Sequence, residues 1–232
     1  MNRIDRRRNY IMMMDTETAN CFTEEDGKLN MMNALVYDIG WAVIDKHGNT
    51  YETKSYIVKE IFFDEPYLMK TAYYADKIAQ YLVDIAEGKR IVASWWEIRR
   101  DFHETMERYR STITCAHNAR FDYRAVNNTQ RWLTKSKYRY FFPKNTTMWD
   151  TLKMSRDVVA KTPSYIHFCE KHEFLTKAGK PKLTAEVLYR FISNDPAFIE
   201  SHTGLEDVNI EKKILAYCFR KKKKMRKNLF ND

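Results

Sequence analysis

The sequence predicts an α/β protein in which a mixed β-sheet is flanked by helices. Three strand-like segments come first in the chain, and later strand-like segments alternate with stretches of helical periodicity. This order is typical of a mixed sheet covered by helices. The 232 residues are 44% hydrophobic and 14% aromatic, the composition of a folded protein with a substantial core.

The predicted strands are short apolar or alternating runs that end at turn residues. The first ends at Asp15, and residues 46–49 supply the turn chemistry between the second and the third, which we expect to pair as a hairpin. The five predicted strands are residues 10–14, 37–45, 50–58, 113–116 and 147–150.

Apolar residues recur at helical spacing after the third strand. This spacing predicts a helix over 66–87 and further helices over 95–109 and 119–133, with a mostly helical chain after residue 150. No linker rich in Pro or Gly interrupts the pattern, so we expect one domain over residues 1–232. Two apolar clusters, the Met12–Met14 run and the Trp95-Trp96 pair, are predicted to lie in the core.

The positive charge of the chain is concentrated at its ends. The formal net charge is +9, of which residues 1–8 carry +3 and residues 220–232 carry +6, so the residues between them have no net charge. We therefore define a basic N-terminal segment, 1–8, and a basic C-terminal tail, 221–232. A nucleic acid would gain from counterion release on binding such ends. Alternatively, the lysine run stays in water and favours the end of a helix.

The sequence indicates a soluble protein of the cytoplasm with no membrane partner. No segment approaches the roughly 18 consecutive apolar residues of a membrane span, and the N-terminus lacks the pattern of a signal peptide. The cysteines are far apart and form no Cys-x-x-Cys pair, which argues against a disulfide framework and a zinc site. They are Cys21, Cys115, Cys169 and Cys218.

Three short polar clusters carry the chemistry that the sequence predicts. In the first, Asp15 and Glu17 are two residues apart, and on a strand such side chains point to the same face. Carboxylates that a fold gathers in one place are ligands for divalent cations. Taken alone, however, an Asp-x-Glu pair is more often a solvated strand end.

The second cluster spans residues 117–122 and follows the fourth predicted strand. Asn118 is predicted to be the N-cap of the next helix, because its side-chain oxygen can accept a backbone N–H of the first turn. Asp122 would then lie one turn into that helix. The alternative is an ordinary capped helix with an exposed Asp122 and a buried Phe121.

The third cluster spans residues 202–207 and opens an amphipathic stretch. Thr203 and Glu206 have the spacing of a capping box, which makes Thr203 the N-cap. His202 and Asp207 then occupy the two positions that a hydrophobic staple brings together, so the imidazole is predicted to lie beside the carboxylate. An ordinary His titrates near pH ~6.5 and suits a general base. The alternative is a surface His next to a capped helix.

Together, the three clusters resemble the motifs of the DnaQ-like DEDDh exonucleases, whose fold is ribonuclease H-like. Asp15-Thr16-Glu17-Thr18 resembles the first motif, His117-Asn118-Ala119-Arg120-Phe121-Asp122 the second, and His202-x-x-x-x-Asp207 the third. The resemblance spans roughly residues 9–220. One departure is that Ala19-Asn20 stands where the family usually has Thr-Gly.

The resemblance implies a ribonuclease H-like, mixed five-stranded sheet and a metal-dependent 3′→5′ exonuclease. Such an enzyme releases nucleoside monophosphates from a single-stranded end, and His202 would act as its general base. Two Mg²⁺ or Mn²⁺ ions would be held by Asp15, Glu17, Asp122 and Asp207. The terminal nucleotide would be positioned by Thr18, Asn118 and Phe121.

Other functions remain open at the level of the sequence. DNA is favoured over RNA as the single-stranded partner, but an RNA-trimming enzyme of the same family would use the same residues. A nucleic-acid-binding or polymerase-accessory module is a second alternative, and a basic scaffold protein is a third. In the scaffold protein the three clusters would be a coincidence.

Overall fold

The computed structural model describes residues 4–24, 29–200, 202–221 and 224–230. Residues 1–3 of the basic N-terminal segment, and 222–223 and 231–232 of the basic C-terminal tail, lie outside the described residues. The strands are β1 (Ile11–Ala19), β2 (Phe22–Thr23), β3 (Leu29–Asn30), β4 (Leu35–Ile44), β5 (Thr50–Val58), β6 (Ile91–Ala93), β7 (Ile113–Ala116) and β8 (Thr147–Asp150).

The main sheet is mixed, as predicted, but it has six strands instead of five. Their order is β6-β5-β4-β1-β7-β8, and β4 runs antiparallel to both of its neighbours while the other pairs are parallel. The sequence did not predict β6, because three residues are too few to show a period of two. This strand pairs with β5 through Tyr56 and Ile91 and extends the sheet at its edge.

Strand β1 continues past Asp15, where the sequence predicted its end. Its backbone pairs with β4 from Ile11 to Ala19, and this ladder keeps the polar residues after Asp15 extended. Pairing with β7 involves Met12 and Met13, so the carboxylate-bearing half of β1 continues beyond that contact.

Helices cover both faces of the sheet. The predicted helices over 95–109 and 119–133 correspond to α4 and α5, and the region after residue 150 is mostly helical, as expected. The helices are α1 (Lys59–Phe62), α2 (Pro66–Met69), α3 (Ile78–Ala86), α4 (Trp95–Tyr109), α5 (Arg120–Thr134), α6 (Thr151–Val158), α7 (Pro163–Lys171), α8 (Ala185–Ser193) and α9 (Gly204–Lys221).

The single helix predicted over residues 66–87 is wrong. The region contains α2, a 3₁₀ turn at Ala75–Lys77 and α3. The interruption has a physical cause, since the Tyr73 N–H donates to the Thr18 carbonyl at 3.0 Å and the Cys21 N–H donates to the Thr71 carbonyl at 3.2 Å. These backbone groups bond to the end of β1 and its following turn, so they are not available for a continuous helix.

Two apolar cores lie on opposite faces of the sheet. Met12 and Met14 point into the core under α4 and α5, whereas Ile11 and Met13 point into the core under α6, α8 and α9. The methionine run is therefore core, as predicted. Trp95 is also buried, but the prediction for Trp96 is wrong because 64% of this residue is exposed.

The described part of the basic C-terminal tail packs against β8. The Leu229 N–H donates to the Met148 carbonyl at 2.7 Å, and the Asp150 N–H donates to the Lys227 carbonyl at 2.8 Å. Leu229 is buried in the core under α5, and Arg226 forms an ion pair with Asp157 at 2.7 Å. Removal of the tail would therefore remove a core side chain as well as positive charge.

The cysteines lie in the interior. All four are buried and free, and burial raises the pKa of each thiol, most strongly that of Cys115. Neutral buried thiols pack as small apolar side chains. Within the described ranges, none of the helices has the length and apolar character that crossing a membrane requires.

Candidate metal centre

Three carboxylates from two elements meet at one place. Asp15 and Glu17 project from the same face of β1, as the period of a strand predicts, and Asp207 comes from the first turn of α9. One oxygen from each of the three lies within 4.8 Å of the others. This spacing allows one cation to contact all three side chains.

The start of α9 is set directly against β4, and this contact places Asp207. A Cβ atom on Gly40 would lie 2.4 Å from the Leu205 nitrogen, and one on Gly204 would lie 2.8 Å from the Gly40 nitrogen. Both positions therefore need glycine for the backbones to approach. The Gly204 N–H also donates to Asp38 Oδ2 at 3.0 Å, so a β4 carboxylate satisfies an N–H group at the start of the helix.

Asp38 is itself held by a buried network of charged and polar groups. Tyr81 donates its hydroxyl to Asp38 Oδ2 at 2.7 Å, and Arg90 Nη1 lies 3.3 Å from the same oxygen. Arg90 also contacts Asp84 at 3.1 Å and Glu206 at 3.2 Å. One buried guanidinium thus joins β4, α3 and the first turn of α9, which fixes the orientation of the helix that carries Asp207.

At the start of α9, the predicted capping residues are in place. The helix begins at Gly204, directly after Thr203, and the Thr203 hydroxyl donates to the Glu206 carboxylate. The Asp207 N–H donates to the Thr203 carbonyl at 3.0 Å, which is the first turn of the helix.

Asp122 lies in the first turn of α5 and is almost completely buried. It accepts a hydrogen bond from the Thr16 hydroxyl at 2.9 Å, and Thr16 lies between the two carboxylates of β1. Burial is the main cause of the raised pKa of both Asp15 and Glu17, and the negative charge of Asp122 adds to it, so Asp122 belongs to the same electrostatic cluster. Asp122 is not part of the close group formed by the other three predicted ligands.

The prediction that Asn118 caps α5 is wrong. Ala119 occupies the N-cap position and makes no side-chain capping bond, while Asn118 lies one residue earlier with φ +59°. Asn tolerates this left-handed conformation better than most residues. The Asn118 N–H donates to Asp150 Oδ1 at 3.1 Å, and Asp150 caps α6 by accepting from the Leu152 N–H at 2.8 Å.

A fifth carboxylate, Glu211, was missed by the sequence analysis. It lies one turn after Asp207 on α9, is buried, and accepts a hydrogen bond from the His117 N–H at 3.1 Å. Apart from burial, its charge is the largest cause of the raised pKa of Asp15. The signal was present, because residues four apart on a helix share a face.

Burial and mutual repulsion raise the pKa values of these carboxyl groups. Burial is the first cause in each case, and it raises the pKa of Asp122 to about 7 and that of Asp207 to about 8. The pKa values of Asp15, Glu17 and Glu211 are raised well above their usual range.

The same carboxylates fit a divalent cation. One oxygen of Asp207, Oδ1, is buried without a hydrogen-bond partner among the described residues. Hard carboxylate oxygens suit Mg²⁺ or Mn²⁺, and a cation would supply the charge and the contact that this oxygen lacks.

In the absence of metal, the protein is expected to lose stability as the pH rises from about 6.5 to about 8. In the unfolded chain the carboxyl groups titrate near pH ~4, whereas those of folded Asp122 and Asp207 titrate at about 7 and about 8. The folded protein therefore holds more protons in this window, and the free energy of unfolding falls with pH. Histidines with a lowered pKa oppose this trend around pH 6.5, where unfolded His titrates, and their opposition fades across the lower part of the window.

Thermal unfolding in the presence of a chelator at the two pH values measures this loss. Added Mg²⁺ should raise the melting temperature more at the higher pH, where the carboxylates are charged. A melting temperature that stays level or rises towards pH 8 in chelator would contradict the raised pKa values.

His202 lies two residues before the start of α9 and has φ +54°. Its ring stacks on Tyr74 with centroids 4.3 Å apart and planes at 12°, and its Nδ1 is 3.8 Å from a Glu200 carboxylate oxygen. Burial lowers the pKa of the imidazole, so the neutral form predominates at neutral pH. That the ring lies beside Asp207 remains a prediction. Both residues are close to Glu200, because the Glu200 charge, after burial, raises the pKa of Asp207, and Glu200 also contacts His202.

Two of the three predicted nucleotide-binding residues share a hollow. Asn118 and Phe121 line a space of about 510 Å³ together with Met31, Arg120 and Arg124. The third residue, Thr18, does not line this hollow among the described residues. It is buried near the end of β1, with its hydroxyl 3.6 Å from Cys21 Sγ.

The turn after β1 accommodates the departure from the motif of the DnaQ-like family. Asn20 has φ +61°, a conformation that Gly adopts freely and Asn tolerates. Its side-chain amide donates to the Asn33 carbonyl at 2.9 Å, and its N–H donates to Thr71 Oγ1 at 3.1 Å. Asn20 therefore adopts a backbone conformation open to Gly, at the position where the resemblance predicts Gly.

Solved structures of exonucleases are similar to this chain in fold. Exonuclease I from Methylocaldum szegediense aligns with a TM-score of 0.56 and 15% identity, covering 93% of this chain and 41% of that chain. E. coli exonuclease I in complex with a dT13 oligonucleotide aligns with a TM-score of 0.52 and 14% identity, covering 91% of this chain and 41% of that chain. Exonuclease X in complex with 5′ overhanging duplex DNA aligns with a TM-score of 0.42 and 14% identity, covering 90% and 91% of the two chains.

The two exonuclease I structures show that this chain shares their fold, a mixed sheet flanked by helices. The chain spans 41% of the length of each of them. No protein-family model matches the chain, and no curated protein matches it in sequence.

Proposed function

We propose that this protein is a metal-dependent 3′→5′ exonuclease of the DnaQ-like DEDDh family. The observation that carries the proposal is the meeting of Asp15, Glu17 and Asp207, whose oxygens lie within 4.8 Å of one another although they come from distant parts of the chain. Asp122 and His202 complete the five-residue set of the three motifs. We also propose that residues 1–232 form a single exonuclease domain.

The carboxylates would hold two divalent cations, Mg²⁺ or Mn²⁺. When bound, such cations polarise the phosphodiester, lower the pKa of a bound water and stabilise the leaving 3′ oxygen. Asp15, Glu17 and Asp207 would provide the closest ligands, and Asp122 the fourth carboxylate. Thr16 orients Asp122 through its hydroxyl at 2.9 Å, and the packing of Gly204 on Gly40 orients Asp207.

His202 would take the proton of the attacking water. Its lowered pKa keeps the ring neutral and ready to accept a proton at neutral pH. Stacking on Tyr74, at 4.3 Å, restricts the orientation of the ring, and the nearby Glu200 carboxylate would stabilise the imidazolium that forms. In this role Tyr74 and Glu200 are positioning residues.

The proposed substrate is a single-stranded nucleic acid with a free 3′ end, DNA in preference to RNA. The fold neighbour from E. coli was crystallised with an oligonucleotide of deoxythymidine, which supports the DNA assignment. The terminal nucleotide would lie in the hollow formed by Asn118 and Phe121, with Arg120 and Arg124 near its phosphates. Thr18 would contribute from the end of β1.

Digestion of end-labelled single-stranded DNA and RNA, in parallel, tests this function. We expect shortening from the 3′ end with Mg²⁺ or Mn²⁺ and no shortening in chelator. Release of mononucleotides from RNA but not DNA would assign the protein to RNA trimming. Binding of both strands without cleavage under any metal condition would favour an accessory module.

Replacing His202 by alanine is expected to lower turnover by a factor on the order of 10²–10⁴, the span of general-base catalysis. Metal affinity should be unchanged, because the carboxylates bind the cations. Steady-state kinetics and calorimetric titration with Mn²⁺ measure the two quantities. Loss of Mn²⁺ binding in His202→Ala would make His202 a ligand, and unchanged turnover would remove it from the mechanism.

A further inference from the structure

A second basic surface lies away from the carboxylates. Residues 131–144, at the end of α5 and in the loop that follows, contain five Lys or Arg and no Asp or Glu. The sequence analysis assigned the basic character to the chain ends, because acidic residues elsewhere cancel this run in the sum. In the fold the positive charge stays local.

This run forms one side of a groove against α4. Two neighbouring hollows, of about 440 and about 490 Å³, share Arg99 and Tyr140 in their walls. We define the basic groove by six residues that line these hollows: Trp96, Arg99, Arg139, Tyr140, Phe142 and Lys144.

The cations of the basic groove and of the adjacent helix end are not neutralised. Arg99 donates through Nε to the carbonyls of Tyr140 and Phe141 at 3.2 and 3.0 Å. Arg131 lies over the Tyr140 ring at 4.9 Å, and its Nε is buried without a hydrogen-bond partner. In the part of the chain that the structure describes, neither arginine forms an ion pair. Arg90, by contrast, contacts three carboxylates.

The one carboxylate in the described lining of these hollows is already engaged. Glu60 accepts hydrogen bonds from the Trp95 N–H at 3.1 and 3.0 Å, at the start of α4. Its single negative charge faces three cations in the lining of the two hollows, Arg99, Arg139 and Lys144. The basic groove therefore keeps a net positive charge, which favours an anionic ligand.

Exposed aromatic rings border the same cations. Trp96 is 64% exposed and Tyr140 is 50% exposed. The guanidinium of Arg100 lies 4.5 Å from the Trp96 ring centroid. Phosphate-binding cations interleaved with accessible rings are the combination that proteins use for single strands, whose bases stack on aromatic side chains.

We propose that the basic groove binds the single strand on the 5′ side of the cleaved bond. This inference rests on the proposed function. When the 3′ end of the strand lies at the carboxylates, the rest of the strand extends away from them on its 5′ side. Helix α5 joins the two places, with Asp122 in its first turn and Arg131 nine residues later. At 1.5 Å per residue this is about 14 Å, or about four nucleotides at 3.4 Å each.

The length dependence of binding tests this proposal. We would measure the anisotropy of labelled oligo(dT) of about 3 and about 12 nucleotides, in chelator and at several salt concentrations. The variant Arg139→Gln/Lys144→Gln should bind the longer strand about tenfold more weakly and lose about 1.4 from the salt slope, for two phosphate contacts. The short strand should bind as it does to the wild type. Trp96→Ala should weaken binding of the longer strand about tenfold through lost stacking.

A matched control is Lys177→Gln/Lys180→Gln, which removes the same charge from exposed positions on the loop between α7 and α8. It should leave binding and salt slope unchanged at both lengths. Equal weakening of both lengths, or no weakening in the groove variant, would overturn the proposal. An acidic peptide that competes with the longer strand at equal concentration would also overturn it, in favour of a protein partner.

The readout separates this inference from the proposed function. Cleavage of the short strand should be equal in the wild type and in Arg139→Gln/Lys144→Gln. If the wild type cleaves nothing, the proposed function fails, while the anisotropy in chelator still shows whether the basic groove holds a single strand.

Discussion

Asp207→Asn is expected to abolish nuclease activity and to stabilise the metal-free protein. Asp207 is buried, and burial together with the charges of Glu200 and Glu206 raises its pKa to about 8. The asparagine keeps the shape and stays neutral above pH 8, where the aspartate carries a charge that the neighbouring carboxylates repel. Loss of one ligand should lower the cleavage rate by at least about 10³-fold, because metal stabilisation of the transition state amounts to several kcal/mol.

The measurements are single-turnover cleavage with Mg²⁺ and thermal unfolding in chelator at a pH above 8, where Asp207 is ionised in the wild type. Asp64→Asn is a matched control, because this exposed aspartate pairs with Lys59 at 3.2 Å on the surface. It should leave cleavage unchanged. Cleavage by Asp207→Asn within a few fold of the wild type would exclude Asp207 as a ligand. A lower melting temperature in chelator would show that repulsion does not dominate at this site.

Gly40→Ala is expected to destabilise the fold and to impair the metal site together. The new methyl group would lie 2.4 Å from the Leu205 nitrogen and 2.5 Å from the Gly204 carbonyl carbon. Both are backbone atoms, which cannot rotate away as a side chain can. Overpacking of this kind costs about 1–3 kcal/mol, and relief requires the start of α9 to move. Because Asp207 lies in that first turn, Mn²⁺ affinity and cleavage should fall as well.

Chemical denaturation measures the loss of stability, Mn²⁺ titration the loss of metal affinity, and a cleavage assay the loss of activity. Gly179→Ala serves as the comparison, since Gly179 has φ +69° and open space around it. Its strain should cost about 1 kcal/mol without any change in metal affinity. If Gly40→Ala behaves like Gly179→Ala in all three assays, the close approach does not position Asp207.

Local pattern predicted much of the fold. The apolar run before Asp15, the alternation over Thr50–Val58 and the periodicity of Trp95–Tyr109 each gave the element that the structure contains. Errors arose where distant partners decide the backbone conformation. Strand β6 exists because β5 offers it a partner, and the helix predicted over 66–87 is broken because the end of β1 takes the backbone bonds of Thr71 and Tyr73.

In the candidate metal centre, too, local pattern predicted some features and distant contacts decided others. Motif spacing alone indicated Asp15 and Glu17 as a pair on one face of a strand, and it placed Asp207 in the first turn of a helix, as the structure does. It did not indicate Glu211, although this residue lies four after Asp207 on the same helix, nor the left-handed conformation of Asn118.

By itself, the sequence determined most of the local elements that hold the proposed site residues, because hydrophobic period, capping residues and the spacing within each motif are short-range properties. Only the tertiary structure decided how close Asp207 comes to β1, since this depends on two glycine backbones in contact across the fold. It also decided that residues 131–144 and α4 form one basic groove, because a sum of charges along the chain contains no information about which of them share a surface.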